Sequence, residues 1–172
     1  ANLEIVINDD TPIIGAATPS LLDADNLVNA DPADDSVSGS LGIDFGADSG
    51  NSDTGQPGDR SVTFEDATAE NNVTVELSGT TTEVTLTSGG DAVQYGFDNG
   101  VLVGYTGATV NDGRVFTVSL DDATGSYEFT LLANIEYDGL TDASDNIVDL
   151  TFDFTATDSD GDTANGEFTV TV

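Results

Sequence analysis

The chain has 172 residues, with 33 acidic side chains against two basic ones, Arg60 and Arg114, and a formal charge of −31. A charge of that sign repels nucleic acid and anionic lipid. The absence of Cys and His removes disulfides, thiolate or imidazole metal sites and Ser-His or Cys-His catalysis.

The apolar 37% of the chain is rich in Val, Leu, Ile and Phe and alternates with polar residues, which excludes a disordered acidic tail and suits one domain. Residues 3–7, Leu-Glu-Ile-Val-Ile, read as a strand already under way at the N-terminus, as expected of a unit cut from a longer polypeptide. Residues 19–27 offer one short helical turn. Strands follow at 37–45, 61–64, 73–77 and 83–87, then a Gly89-Gly90 turn and a strand at 92–97. Asn99-Gly100 is a two-residue hairpin signal leading into 101–105. Further strands are expected at 115–120, 126–132, 147–157 and 167–172. In 148–156 the apolar residues Val148, Leu150, Phe152, Phe154 and Ala156 occupy every second position, so one face is core and the other is wet. Many strands without crossover helices predict an all-β fold, an immunoglobulin-like antiparallel β-sandwich with calcium-binding loops.

The calcium expectation rests on turns crowded with aspartate. Asp158-Ser159-Asp160-Gly161-Asp162 places three carboxylates at alternate positions on a short turn. One aspartate is enough for a hairpin turn. Three repel one another unless a cation lies among them, and hard oxygen donors at this density suit calcium. The pattern is not an EF-hand, because Thr163 and Thr169 stand where that loop requires Gly and Glu. Asn8, Asp9 and Asp10, before Pro12, read either as a strand-ending turn or as ligands of an ion shared between consecutive units. Asp23 and Asp25, with Asn26, are ligands or a helix cap. Asp142 and Asp145, with Asn146, form another candidate loop. Asp121-Asp122 before Gly125 reads as an ordinary hairpin turn. The stretch 46–60, rich in Gly, Ser and Asp, is either a surface excursion or a further ion loop. Lys–Asn isopeptide bracing is impossible without lysine, and a sugar-cleaving carboxylate pair lacks the Trp or clustered aromatics of a sugar cleft, so no enzyme is expected.

Three segments carry a family resemblance. They are Leu102-Val103-Gly104-Tyr105-Thr106-Gly107, then Val115-Phe116-Thr117-Val118-Ser119-Leu120, then Thr124-Gly125-Ser126-Tyr127-Glu128-Phe129-Thr130-Leu131-Leu132. With the closing Ala156-Thr157-Asp158-Ser159-Asp160-Gly161-Asp162-Thr163-Ala164 and the opening Asp9-Asp10-Thr11-Pro12, they resemble the tandem extender repeats of giant RTX adhesins exported by type I secretion. The resemblance is strongest from Val101 to Val172. It implies one repeat over 1–172, with 1–12 as inter-repeat linker and first strand. It also implies calcium ions that rigidify each unit, at Asp158, Asp160 and Asp162 first and at Asn8, Asp9 and Asp10 next. The expected role is a rigid extracellular spacer on the bacterial cell surface, in adhesion and biofilm formation. Its partners would be neighbouring repeats, with no nucleic acid and no membrane insertion, and the isolated domain would be monomeric. The rival expectation is a module of the same adhesin that grips sugar or protein through calcium.

Overall fold

The computed structural model describes residues 10–22, 36–50, 59–137 and 147–172. Within them the chain forms β1 (Ile13–Ile14), β2 (Ser20–Leu21), β3 (Ser36–Ser40) and β4 (Ile43–Asp44). β5 (Ser61–Phe64) and β6 (Val73–Leu77) flank a 3-10 turn at Ala69–Asn72. β7 (Leu86–Ser88), β8 (Asp91–Ala92), β9 (Gln94–Asp98) and β10 (Val101–Tyr105) follow. β11 (Arg114–Asp121), β12 (Ser126–Leu131), β13 (Glu136–Tyr137), β14 (Val148–Thr157) and β15 (Thr163–Thr171) complete the order.

The expected all-β antiparallel sandwich is present. One sheet runs β3-β12-β11-β10-β9 and the other β2-β15-β14-β5, with β6 sharing the outer edge of β14 with β5. Small sheets β1-β4 and β13-β7-β8 accompany them. Burial along β14 alternates without a break, as its two-residue period requires. Its register with β15 sets Leu150 against Val170 and Phe152 against Phe168. Phe152 meets Phe168 in its own sheet at a ring separation of 5.2 Å, and Phe116 and Phe129 of the facing sheet at 6.2 Å each. Tyr127 stacks on Phe168 at 4.1 Å. These buried rings clamp the two sheets together. The Tyr127 hydroxyl donates to the Thr18 carbonyl at 2.7 Å and lies 2.8 Å from the Ser20 hydroxyl, which ties the N-terminal segment to the core.

Several boundaries differ from the sequence expectation. The strand expected at 37–45 is divided into β3 and β4 at Leu41 and Gly42, where Leu41 turns fully into the core and β4 pairs with β1 instead. The strand expected at 83–87 begins only at Leu86, and Glu83 makes an isolated bridge to Glu76. The strand expected at 92–97 breaks at Val93. β15 begins at Thr163, earlier than the apolar alternation shows, because β14 pairs with Thr163, Ala164, Asn165 and Gly166 whatever their hydrophobicity. The helical turn expected at 19–27 is corrected over its described part. Ser20 and Leu21 form β2, parallel to β15, and the Leu22 amide donates to the Thr171 carbonyl at 2.8 Å as its side chain is buried. The strand expected at 3–7 lies outside the described residues. The hairpins at Gly89-Gly90 and Asn99-Gly100 form as expected, Asn99 at a φ of 51° and Gly100 at 86°.

The wet face of β14 carries part of the charge. Asp153 lies directly across from Glu167, and the Glu65 amide donates to its carbonyl. Partial burial, then repulsion from Glu65 and Glu167, push its carboxyl above the ordinary value of 3.8. A carboxyl whose folded-state pKa is raised costs stability once pH climbs past the unfolded value, and the cost is complete above the folded one. Asp153→Asn is therefore expected to raise the Tm at neutral pH. In acid below 3.8 the variant and the wild type should melt together; a gain of equal size at both pH values would contradict the electrostatic account.

Candidate metal centre

The β14–β15 ladder ends by pairing Thr157 with Thr163, so residues 158–162 are forced into a tight connection. Its shape is set locally. The Asp158 amide donates to the Asp162 carbonyl at 3.0 Å. Asp158 Oδ1 accepts from the amides of Gly161 at 3.0 Å and Asp162 at 2.8 Å. Gly161 adopts a φ of 108°, a conformation that costs glycine little and other residues much. The outcome is convergence: one carboxylate oxygen from each of Asp158, Asp160 and Asp162 lies within 4.8 Å of the other two.

Asp158 differs from its neighbours. It is 1% exposed, whereas Asp160 and Asp162 face solvent. Burial pushes its carboxyl up, but hydrogen bonding with the Asp160 side chain and to the amides of Asp162, Gly161 and Asp160 outweighs this and holds it below the ordinary 3.8. The lowered value favours the ionised form of Asp158. Its second oxygen, Oδ2, is buried with no hydrogen-bond partner. Leaving a buried acceptor unmatched costs on the order of 1–3 kcal/mol, more when it is charged.

A divalent cation fits this arrangement. Calcium takes carboxylate oxygens at about 2.3–2.6 Å, so two donors on one ion lie no more than about 5 Å apart. The observed separations satisfy that limit. The donor set is all oxygen, which selects a hard cation over zinc or copper. Asp158 Oδ2 is the donor already stripped of other partners, and Asp160 and Asp162 complete the acidic side of the site.

Two distant segments close around the loop. The Ser159 amide donates to the Asp48 carbonyl at 2.9 Å, and the Thr11 hydroxyl donates to Asp162 Oδ2 at 3.3 Å. Asp10 joins these segments to each other. Its amide donates to Asp48 Oδ2 at 3.4 Å, and its own Oδ2 accepts from the Ala47 amide at 3.1 Å. Asp10 and the 158–162 loop, expected as separate sites, are thus neighbours. Asn8, Asp9, Asp23, Asp25, Asp142 and Asp145 lie outside the described residues. Asp121 is an ordinary turn residue as expected, its carboxylate accepting from the amide of Ala123 and the hydroxyl of Thr124. Thr11 and Asp48 escaped sequence reasoning. The composition of 46–60 marked an ion loop as one of two options, but no spacing rule connects Asp48 to a turn more than a hundred positions away.

The sheets and the loop define an all-β sandwich domain with an acidic, calcium-sized candidate site at one hairpin end. The chain belongs to the family described as a domain of unknown function, DUF5801, which matches residues 6–171. No curated protein and no solved structure matches it.

Asp158→Ala would leave the Gly161 and Asp162 amides without their acceptor, so it is expected to cost about 1–3 kcal/mol in urea unfolding with chelator present. Asp160→Asn, at an exposed position that keeps a hydrogen-bonding side chain, should cost much less under the same conditions. Equal losses would mean that the loop is not organised around Asp158.

Proposed function

We propose that this domain is a calcium-stabilised extender module of a bacterial surface adhesin, a rigid spacer between neighbouring repeats of one polypeptide in cell adhesion and biofilm formation. The observation that carries the reading is the buried and unpartnered Oδ2 of Asp158 within a cluster of three carboxylates. The segments tied to that loop extend the argument. Asp10 and Thr11 belong to the part of the chain that would join one unit to the preceding one, so an ion held by the 158–162 loop would stiffen the entry to the domain as well as its hairpin end.

The mechanism is linkage between folding and calcium. A cation that binds only the folded state stabilises it by mass action. Extracellular calcium at about ten times the Kd of one such site contributes on the order of 1 kcal/mol. Relief of carboxylate repulsion adds to this. Each pair of charges about 4 Å apart repels by roughly 1 kcal/mol in bulk water and several times more near a protein surface. Low calcium inside the cell would keep the chain easy to unfold for export by type I secretion, and calcium outside would complete the fold. The role is structural rather than catalytic. The described residues include no helix long and apolar enough to cross a membrane.

Excess EDTA is expected to lower the Tm sharply in a circular-dichroism melt. Calcium should restore it, and sodium at matched ionic strength should not. A melt indifferent to chelation would leave the acidic residues as surface solvation and end this reading.

A second reading, ligand capture by a module of the same adhesin, is favoured by one feature. A groove of about 610 Å³ is lined by Phe64, Phe97, Val101 and Leu120 together with Glu65 and Asp66, and the two phenylalanine rings are 5.4 Å apart. That volume suits a small ligand. The spacer reading expects no calcium-dependent hit on a glycan array. A hit abolished by EDTA and by Phe97→Ala would transfer the assignment to capture.

A further inference from the structure

The chain has two permanent cations, and only one of them is connected to the candidate metal centre. Arg114 is engaged elsewhere: its guanidinium pairs with Asp98 and Asn111, and its Nε donates to the Val110 carbonyl at 3.1 Å. Arg60 gathers the segment that carries Asp48. Its backbone amide donates to the Gly50 carbonyl at 2.8 Å. Its guanidinium lies over the Phe45 ring, 4.9 Å from the centroid, and reaches the Ser49 carbonyl at 3.5 Å. The other arms of the guanidinium grip the β11–β12 turn, with Nε donating to the Asp122 carbonyl at 3.1 Å and Nη2 to the Ala123 carbonyl. Residues 45–50 are therefore held at Phe45, Ser49 and Gly50 and anchored to the β11–β12 turn. Between these points lies Asp48, whose carbonyl receives the Ser159 amide of the acidic loop and whose carboxylate receives the Asp10 amide.

We infer that Arg60 is a positioning residue of the metal centre, fixing residues 45–50 so that Asp48 meets the 158–162 loop and the loop is preorganised for a divalent cation. The inference rests on the calcium reading above and goes beyond it by naming a residue whose guanidinium contacts Phe45, Ser49, Asp122 and Ala123 and not the three clustered carboxylates.

The sign of the effect separates positioning from plain electrostatics. A guanidinium near a cation site opposes binding, so removing its charge alone would tighten calcium affinity. Loss of positioning does the reverse. Removing residues that orient a metal site from outside typically weakens affinity about 10–100-fold.

The test is calcium titration of the folded domain, by competition with a chromophoric chelator, at a temperature where circular dichroism shows every variant folded. Arg60→Gln is expected to weaken binding roughly tenfold. Arg60→Lys, which keeps the charge and loses the planar fork, should also weaken it. Arg114→Gln removes the same charge elsewhere and should weaken nothing. With both exposed donors removed by Asp160→Asn and Asp162→Asn, Arg60→Gln should bring no further loss, which assigns the effect to this site. If Arg60→Gln does not fold, Arg60→Lys and Phe45→Leu carry the same expectation. Affinity in the Arg60 variants equal to or tighter than wild type would overturn the inference while leaving the calcium reading intact. A wild-type domain that takes up no calcium would overturn both.

Discussion

The pairing of Thr157 with Thr163 is the constraint on which the site depends. Once β14 and β15 are in register, the intervening residues have no freedom to spread, and their three carboxylates must converge. The register in turn is fixed by the aromatic layer. Phe152 and Phe168 face each other across the ladder and pack under Phe116, Phe129 and Tyr127 of the opposite sheet. A slip of one residue would turn the slipped strand's side of that layer outward. Hydrophobic burial therefore does the electrostatic work of assembling like charges that would otherwise separate.

The loop answers part of that repulsion with its own backbone. Against burial, the Asp160 side chain and then the amides of Asp162 and Gly161 hold the Asp158 carboxyl below its ordinary value, and both amides donate to one of its oxygens. The other oxygen is left buried and unmatched. A loop that needed only to turn the chain would not require a buried charge, and solvated aspartates would serve as well. A half-satisfied buried carboxylate beside two exposed ones is the arrangement expected where the remaining partner comes from solution.

The segments around the loop give the site reach. Hydrogen bonds between Asp10 and Asp48, Ala47 and Asp10, Thr11 and Asp162, and Ser159 and Asp48 link the start of the described chain, the excursion after β4 and the β14–β15 hairpin. Arg60 braces this meeting point from the β11–β12 turn. In a chain with a net charge of −31, a guanidinium is a scarce contact, and here it is used between loops.

Local chemistry made much of this legible in the sequence. The two-residue period from Val148 to Ala156, the Asn99-Gly100 turn and the alternating Asp158, Asp160 and Asp162 each report a rule that operates over a few residues, and each holds in the structure. The early start of β15 and the strand at Ser20 and Leu21 were not legible, because those residues are extended by the strands they pair with and not by their own preference. The same distinction divides the site. Sequence alone determined that three carboxylates share one turn, since that is a matter of spacing. Only the tertiary structure decided that Asp158 is the buried one, that Asp10, Thr11 and Asp48 meet at its loop, and that Arg60 ties residues 45–50 to the β11–β12 turn. Those facts depend on which loops the closed sandwich gathers at one end, and contacts between residues a hundred positions apart leave no periodic trace in the chain.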